Sequence, residues 1–139
     1  MKMWSVQDKA CLKTWDTYYF TDLATGYEGN HFAFLAGGTN TVHFVNVQTR
    51  EIEHKIEEED KVRSITMSRN GKYLLSNFSE SNPTINLWNV SNRKHIQKYT
   101  GHVQSKYILN AEFAGKNDEY VICGSEDDMI YLWNRSTGE

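Results

Sequence analysis

Four stretches of this chain lie over one another. They are Lys2-Met-Trp-Ser-Val6, Thr41-Val-His-Phe-Val-Asn-Val47, Thr84-Ile-Asn-Leu-Trp-Asn-Val90 and Met129-Ile-Tyr-Leu-Trp-Asn-Arg135. One aligned position holds Trp4, Val45, Trp88 and Trp133, at intervals of 41, 43 and 45 residues. The next holds Ser5, Asn46, Asn89 and Asn134, short polar side chains that bond readily to nearby backbone. A period of ~40–45 residues closing on an aromatic-polar pair is the mark of radially repeated four-stranded sheets. No other feature narrows the fold as far.

Between these anchors the text reads as short strands. Val62-Arg-Ser-Ile-Thr-Met67 alternates, and Asn70-Gly71 supplies a turn whose glycine tolerates positive φ. Lys72 to Ser76 follows, then the polar stretch Ser79 to Asn82, then Thr84 to Val90, and His95 to Tyr99 completes a set of four. The third unit repeats the order with Tyr107 to Phe113, Tyr120 to Gly124 and Met129 to Trp133. The first does so more loosely, with Tyr18 to Leu23, Phe32 to Ala36, Thr41 to Val47 and Glu51 to Ile56. Glu51 to Lys61 has a helical-looking Ile52/Ile56 pair, but an edge strand running into an acidic loop suits the repeat better. The predicted fold is all-β: a partial β-propeller of about three blades of four antiparallel strands. Residues 1–17 end one blade, 18–56 and 62–99 are blades, and 107–135 is an incomplete blade. Three and a quarter blades do not close a ring, since closed propellers have ~4–8. The expectation is therefore a piece of a longer protein, with self-pairing through open strand edges as the alternative.

Composition agrees with a folded chain and removes several function classes. The 139 residues are 39% hydrophobic and 24% charged, with a formal charge of −3 that offers no basic face to nucleic acid. No apolar run approaches the ~18 residues of a membrane span, and Met1 to Val6 lacks the apolar core of a signal peptide. Cys11 and Cys123 both fall in or near strands, which predicts buried free thiols rather than a bridge, in the cytosol or nucleus. The sequons at Asn77, Asn89 and Asn134 carry no weight in such a compartment.

The third unit resembles a WD repeat in its polar residues. Gly101-His102 precedes it, Gly124-Ser-Glu-Asp127 turns it, and Trp133 lies six residues after the aspartate. In WD repeats such residues form a hydrogen-bonded relay, which here implies His102, Ser125, Asp127 and Trp133. Trp4, Trp88 and Trp133 are the blade anchors. The other units lack the pattern: Thr39 and Asn82 stand six before their anchors and Asp60 replaces the Gly-His pair, so those blades are expected to rely on apolar packing.

A narrower resemblance rests on Tyr99-Thr-Gly101-His-Val-Gln104-Ser-Lys-Tyr107, Phe113-Ala-Gly115, Gly124-Ser-Glu-Asp127 and Ile130-Tyr-Leu-Trp133 with Arg135. Gln104 and Phe113-x-Gly115 are not ordinary WD-repeat features. Over Thr84 to Gly138 the chain resembles the penultimate blade of the WD-repeat subunit of the GID/CTLH ubiquitin ligase. The resemblance implies a scaffold that helps assemble the ligase beside RING and CTLH-motif subunits and recruits substrates or adaptors. Members of that family carry LisH and CTLH regions ahead of the propeller and a final blade after it. These residues contain neither, so the chain is expected to be an internal piece.

His102, Ser125 and Asp127 invite a catalytic reading, but no nucleophile elbow surrounds the serine, so no catalytic residue is assigned. His31, His43, His54, His95 and His102 show no metal-ligand spacing with either cysteine, and no metal or cofactor is expected. Gly37-Gly38 lacks the Lys-Ser/Thr of a phosphate loop and reads as a turn. Glu57 to Asp60 reads as a solvated loop, with docking of a basic peptide as the alternative. Lys61 and Tyr107 stand just before the innermost strands and are the candidate partner-binding residues at the channel mouth, Tyr107 the stronger of the two, with burial of its ring between blades as the alternative.

Overall fold

The computed structural model describes residues 1–16, 19–26, 30–78 and 82–139. Among them every regular element is a strand, and the strands form four antiparallel sheets in which chain neighbours are sheet neighbours. The first sheet pairs β1 (Lys2–Ser5) with β2 (Ala10–Thr14). The second holds β3 (Phe20–Thr25), β4 (His31–Ala36), β5 (Thr41–Asn46) and β6 (Ile52–Glu57). The third holds β7 (Val62–Met67), β8 (Tyr73–Phe78), β9 (Thr84–Asn89) and β10 (Lys94–Tyr99). The fourth has β11 (Ala111–Ala114), β12 (Tyr120–Gly124) and β13 (Ile130–Asn134). Strand β7 touches both β3 and β11, so the first strands of successive sheets lie side by side. This is a partial propeller of about three blades.

The repeat is built on a turn. The side-chain oxygen of Asn46 accepts the N–H groups of Gln48 (2.8 Å) and Thr49 (3.0 Å). Asn89 does the same for Ser91 and Asn92, and Asn134 for Ser136 and Thr137. Ser5 accepts from Asp8 at the matching place. Four residues beyond each lies a positive φ, at Lys9, Arg50, Arg93 and Gly138. The short polar side chain replaces backbone partners while the chain reverses into the next strand, the job Asn and Ser do best. The amides of Asn89 and Asn134 are thus engaged, and Asn77 is buried, which gives the three sequons a structural meaning.

Alternation along each strand sends one set of side chains to each neighbouring sheet. Phe34, Ala36 and Val45 pack towards β1–β2 with Trp15. Ala33, Leu35, Val42 and Phe44 meet Val62, Ile65, Met67 and Leu74 between the second and third sheets. Leu75, Ile85, Leu87 and Tyr99 meet Ala111, Val121, Cys123 and Trp133 between the third and fourth. Polar ties cross the same seams. The Ile65 N–H donates to Asp22 (2.8 Å), the Arg69 N–H to Asp118 (3.1 Å) and the Tyr99 hydroxyl to the Arg135 carbonyl (2.7 Å).

Three expectations need correction here. The innermost strand of the fourth sheet starts at Ala111, not Tyr107, because residues 105–107 give their N–H groups to a side chain rather than a neighbouring strand. Cys123 is buried, which pushes its thiol up to about 11, but Cys11 is exposed at the end of the array. Glu51 to Lys61 is a strand and loop as expected, yet the loop is not all solvated, since Glu58 is buried. The Tyr18 start of the first blade and Ser79, which ends one sequon and opens the polar stretch, lie outside the described residues.

Candidate protein-interaction face

Just after the last strand of each of the first three sheets, one large side chain turns in against the next sheet. The three plugs differ chemically. Trp15 lies edge-on to Phe32, with ring centroids 6.0 Å apart. Glu58 is 5% exposed, and its carboxylate accepts the Trp88 indole N–H (2.5 Å), the Asn86 amide (3.0 Å) and the Ser76 hydroxyl. Its backbone is tied to the preceding blade, with the Glu58 N–H donating to Asn40 (2.9 Å) and the Asn40 amide to the Glu58 carbonyl. The blade of residues 62–99 therefore has a polar hub of its own and does not rely on apolar packing alone. Nothing in the acidic run distinguishes Glu58 from its exposed neighbours Glu57, Glu59 and Asp60. The one usable signal was its place, between a finished strand and the next blade, where the following unit has His102.

His102 is the third plug, and the relay expected of it is not formed as a chain. Its ring meets Trp133 edge-on at 5.7 Å, but both imidazole nitrogens are buried without a partner among the described residues. Register explains this. Ser76 and Asn86 face each other on β8 and β9, whereas Cys123 and Tyr131 hold the matching positions on β12 and β13. The hydroxyl and amide that serve Glu58 have no counterpart for His102. Burial pushes the imidazole below its ordinary range, against the opposing pull of Asp127. Asp127 is held below the usual carboxylate range by the Ser125 hydroxyl and then the Tyr131 hydroxyl, the latter at 2.8 Å. Ser125 is engaged with the Val103 backbone, accepting its N–H at 2.8 Å. Ser125 and His102 share no hydrogen bond, so that pair does not activate a nucleophile.

The anchors Trp88 and Trp133 lie inside seams, whereas Trp4 is exposed on the outer face of β1. Lys61 is exposed directly before β7, and Tyr107 is 58% exposed in the loop before β11. The shape of that loop is dictated by Glu126, which sequence reasoning passed over. One Glu126 oxygen accepts the N–H groups of Ser105 (2.9 Å), Lys106 (2.8 Å) and Tyr107 (2.8 Å), and the other accepts the Ser105 hydroxyl (2.7 Å). The Tyr107 N–H leads the bonds that lower the carboxyl to about 2. Buried Gln104 closes the loop from within by donating to the Tyr107 carbonyl (3.1 Å). The backbone is thus pinned while the tyrosine ring stays outside.

This arrangement has a checkable consequence. A carboxyl whose folded value is depressed contributes above its ordinary range and loses that contribution only as pH falls towards about 2. Amide exchange at Ser105, Lys106 and Tyr107 is expected to stay slow at pH 4 and to speed at least about tenfold in Glu126→Gln, which keeps one acceptor but loses the charge. Unchanged exchange in the variant removes Glu126 from this role.

Residues 93–134 match the family model of the WD domain, G-beta repeat. The chain is a WD-repeat protein. Over 99% of its length it is 33% identical to a WD repeat-containing protein 26 homolog of Arabidopsis thaliana. Over 98% it is 30% identical to GID complex subunit 7 of Schizosaccharomyces pombe. A WD repeat-containing protein of Dictyostelium discoideum is 28% identical over 91%. This likeness reaches well upstream of Thr84. The WD-repeat chain spans only 21% to 27% of the length of these relatives.

Proposed function

We propose that this chain is a protein-interaction module of a GID/CTLH-like ubiquitin ligase, working in assembly and in recruitment of substrates or adaptors rather than in catalysis. The observation that carries the reading is the likeness to GID complex subunit 7 over 98% of the chain, in blades whose loops are pinned from beneath. Lys61 and Tyr107 are the residues assigned to partner contact, because both stand exposed ahead of first strands, Lys61 directly before β7 and Tyr107 in the loop that leads to β11. An exposed tyrosine on a fixed backbone gives contact area at little entropic cost. Two unbridged cysteines support a cytoplasmic or nuclear setting.

Affinity purification of the full-length gene product from its own cells, read by mass spectrometry, tests the proposal. RING-domain and CTLH-motif proteins in near-stoichiometric amounts are the expected result. Recovery of a different stable complex without them replaces the ligase assignment with a WD-repeat scaffold of another assembly.

A further inference from the structure

Between the first strands lies a pocket of about 180 Å³, lined among others by Lys61 and Arg63 from the start of β7, Thr21 of β3, Thr39 of the β4–β5 turn, Tyr19 and Ile108. Its charge has one sign. Two cations line it and no carboxylate does, in a chain whose net charge is −3. Neither cation has an ion pair among the described residues. The Nε of Arg63 is buried without a hydrogen-bond partner among the described residues, so this guanidinium is not fully satisfied within the fold. Gly38 lines the same pocket, and a Cβ built on it would meet nothing within 4 Å, so the space beside the turn is open.

The rim is different. Tyr19 is 79% exposed and Ile108 64%, and Tyr107 adjoins Ile108 in the chain. A small free anion would find charge in this pocket but leave the apolar rim unused. A carboxylate side chain on a polypeptide, with an apolar neighbour, uses both. We infer that this pocket binds an acidic residue of a partner protein segment, its carboxylate between Lys61 and Arg63 and an adjacent apolar side chain on Ile108 and Tyr19. The protein source rests on the interaction-module reading above; the anion chemistry rests on the pocket alone.

The test is a titration of the isotope-labelled full chain followed by backbone amide NMR. Three probes are used: an acetylated, amidated Leu-Asp-Glu-Leu peptide, its Leu-Asn-Gln-Leu counterpart, and inorganic phosphate. Saturable shifts at Lys61, Arg63 and Thr39 are expected with the acidic peptide and not with the amide peptide. Affinity is expected to fall at least about tenfold in Lys61→Glu, an exposed site whose fold the same spectra verify, and similarly in Arg63→Gln. Absence of saturable shifts with the acidic peptide, or equal shifts with the amide peptide, overturns the proposal. Phosphate matching the acidic peptide at equal concentration overturns the protein source. Failure of this titration leaves the ligase proposal standing, and failure of the purification leaves the pocket standing.

Discussion

Replacing Glu58 with alanine is expected to cost about 3 kcal/mol of stability, because three donors lose one charged acceptor at once. The Ser76 hydroxyl is fully buried, and the Asn86 amide and Trp88 indole are aimed at the same carboxylate. Among the described residues no other acceptor bonds these three donors. Glu58→Gln is expected to cost less, since one oxygen remains, although its amide group then faces donors. The useful contrast is His102→Phe at the matching plug. There the wild-type ring has no hydrogen bond among the described residues to lose, and a phenyl ring keeps the edge-on packing with Trp133. Stability at pH 7 is expected to hold within about 1 kcal/mol or to rise. Urea unfolding of the three variants checks the pair. A Glu58→Ala loss under about 0.5 kcal/mol, or a His102→Phe loss above about 2, would reverse the ranking on which this description of the plugs depends.

Phe44→Ala is expected to cost about 3–5 kcal/mol. Phe44 is fully buried in the seam between the second and third sheets, and its ring stacks on His54 at 4.5 Å with planes 13° apart. Truncation leaves a cavity bounded by strands whose own ladders prevent collapse. It also opens a path for water to His54, whose imidazole burial holds below its ordinary range, as burial does for His43 and His102. These depressed values set the sign of the acid response. As pH falls through the ordinary histidine range, the unfolded chain takes up protons that the fold refuses, so stability declines below about pH 6.5. Thermal melts across pH 7 to 5 should show that decline in the wild type and a smaller one in His102→Phe. A Phe44→Ala loss below about 1 kcal/mol would mean that the two sheets are not held by this seam.

The repeat was legible because its anchor is local. An Asn or Ser that caps its own turn leaves the same trace in every unit, at Ser5, Asn46, Asn89 and Asn134, whatever surrounds it. The blades follow from alternation for the same reason. Glu58 was not legible, because its burial is settled by Ser76, Asn86 and Trp88, which come later in the chain, while its own neighbours are all acidic. Tyr107 to Phe113 reads as strand by composition, yet Glu126 takes the Tyr107 N–H and the ladder begins only at Ala111. The His102 relay was read from residue types that do stand together in space. It fails on two facing positions, Cys123 and Tyr131, where the preceding blade has Ser76 and Asn86. Tertiary partners decide such sites, and a one-dimensional pattern carries only their spacing.

The central claim is that the loops ahead of the first strands are the working face of an interaction scaffold. Lysine cross-linking of the full-length protein in its native purified complex, read by mass spectrometry, tests it most directly. Lys61 lies beside the pocket and Lys106 beside Tyr107, with its ammonium group 5.2 Å from that ring. Lys72, in the turn that follows β7, and Lys94, the first residue of β10, lie exposed away from that face. Links from Lys61 or Lys106 to another protein, with few from Lys72 and Lys94, are the expected result. Links to partners only through Lys72 and Lys94, with Lys61 and Lys106 joined only within the chain, would contradict it.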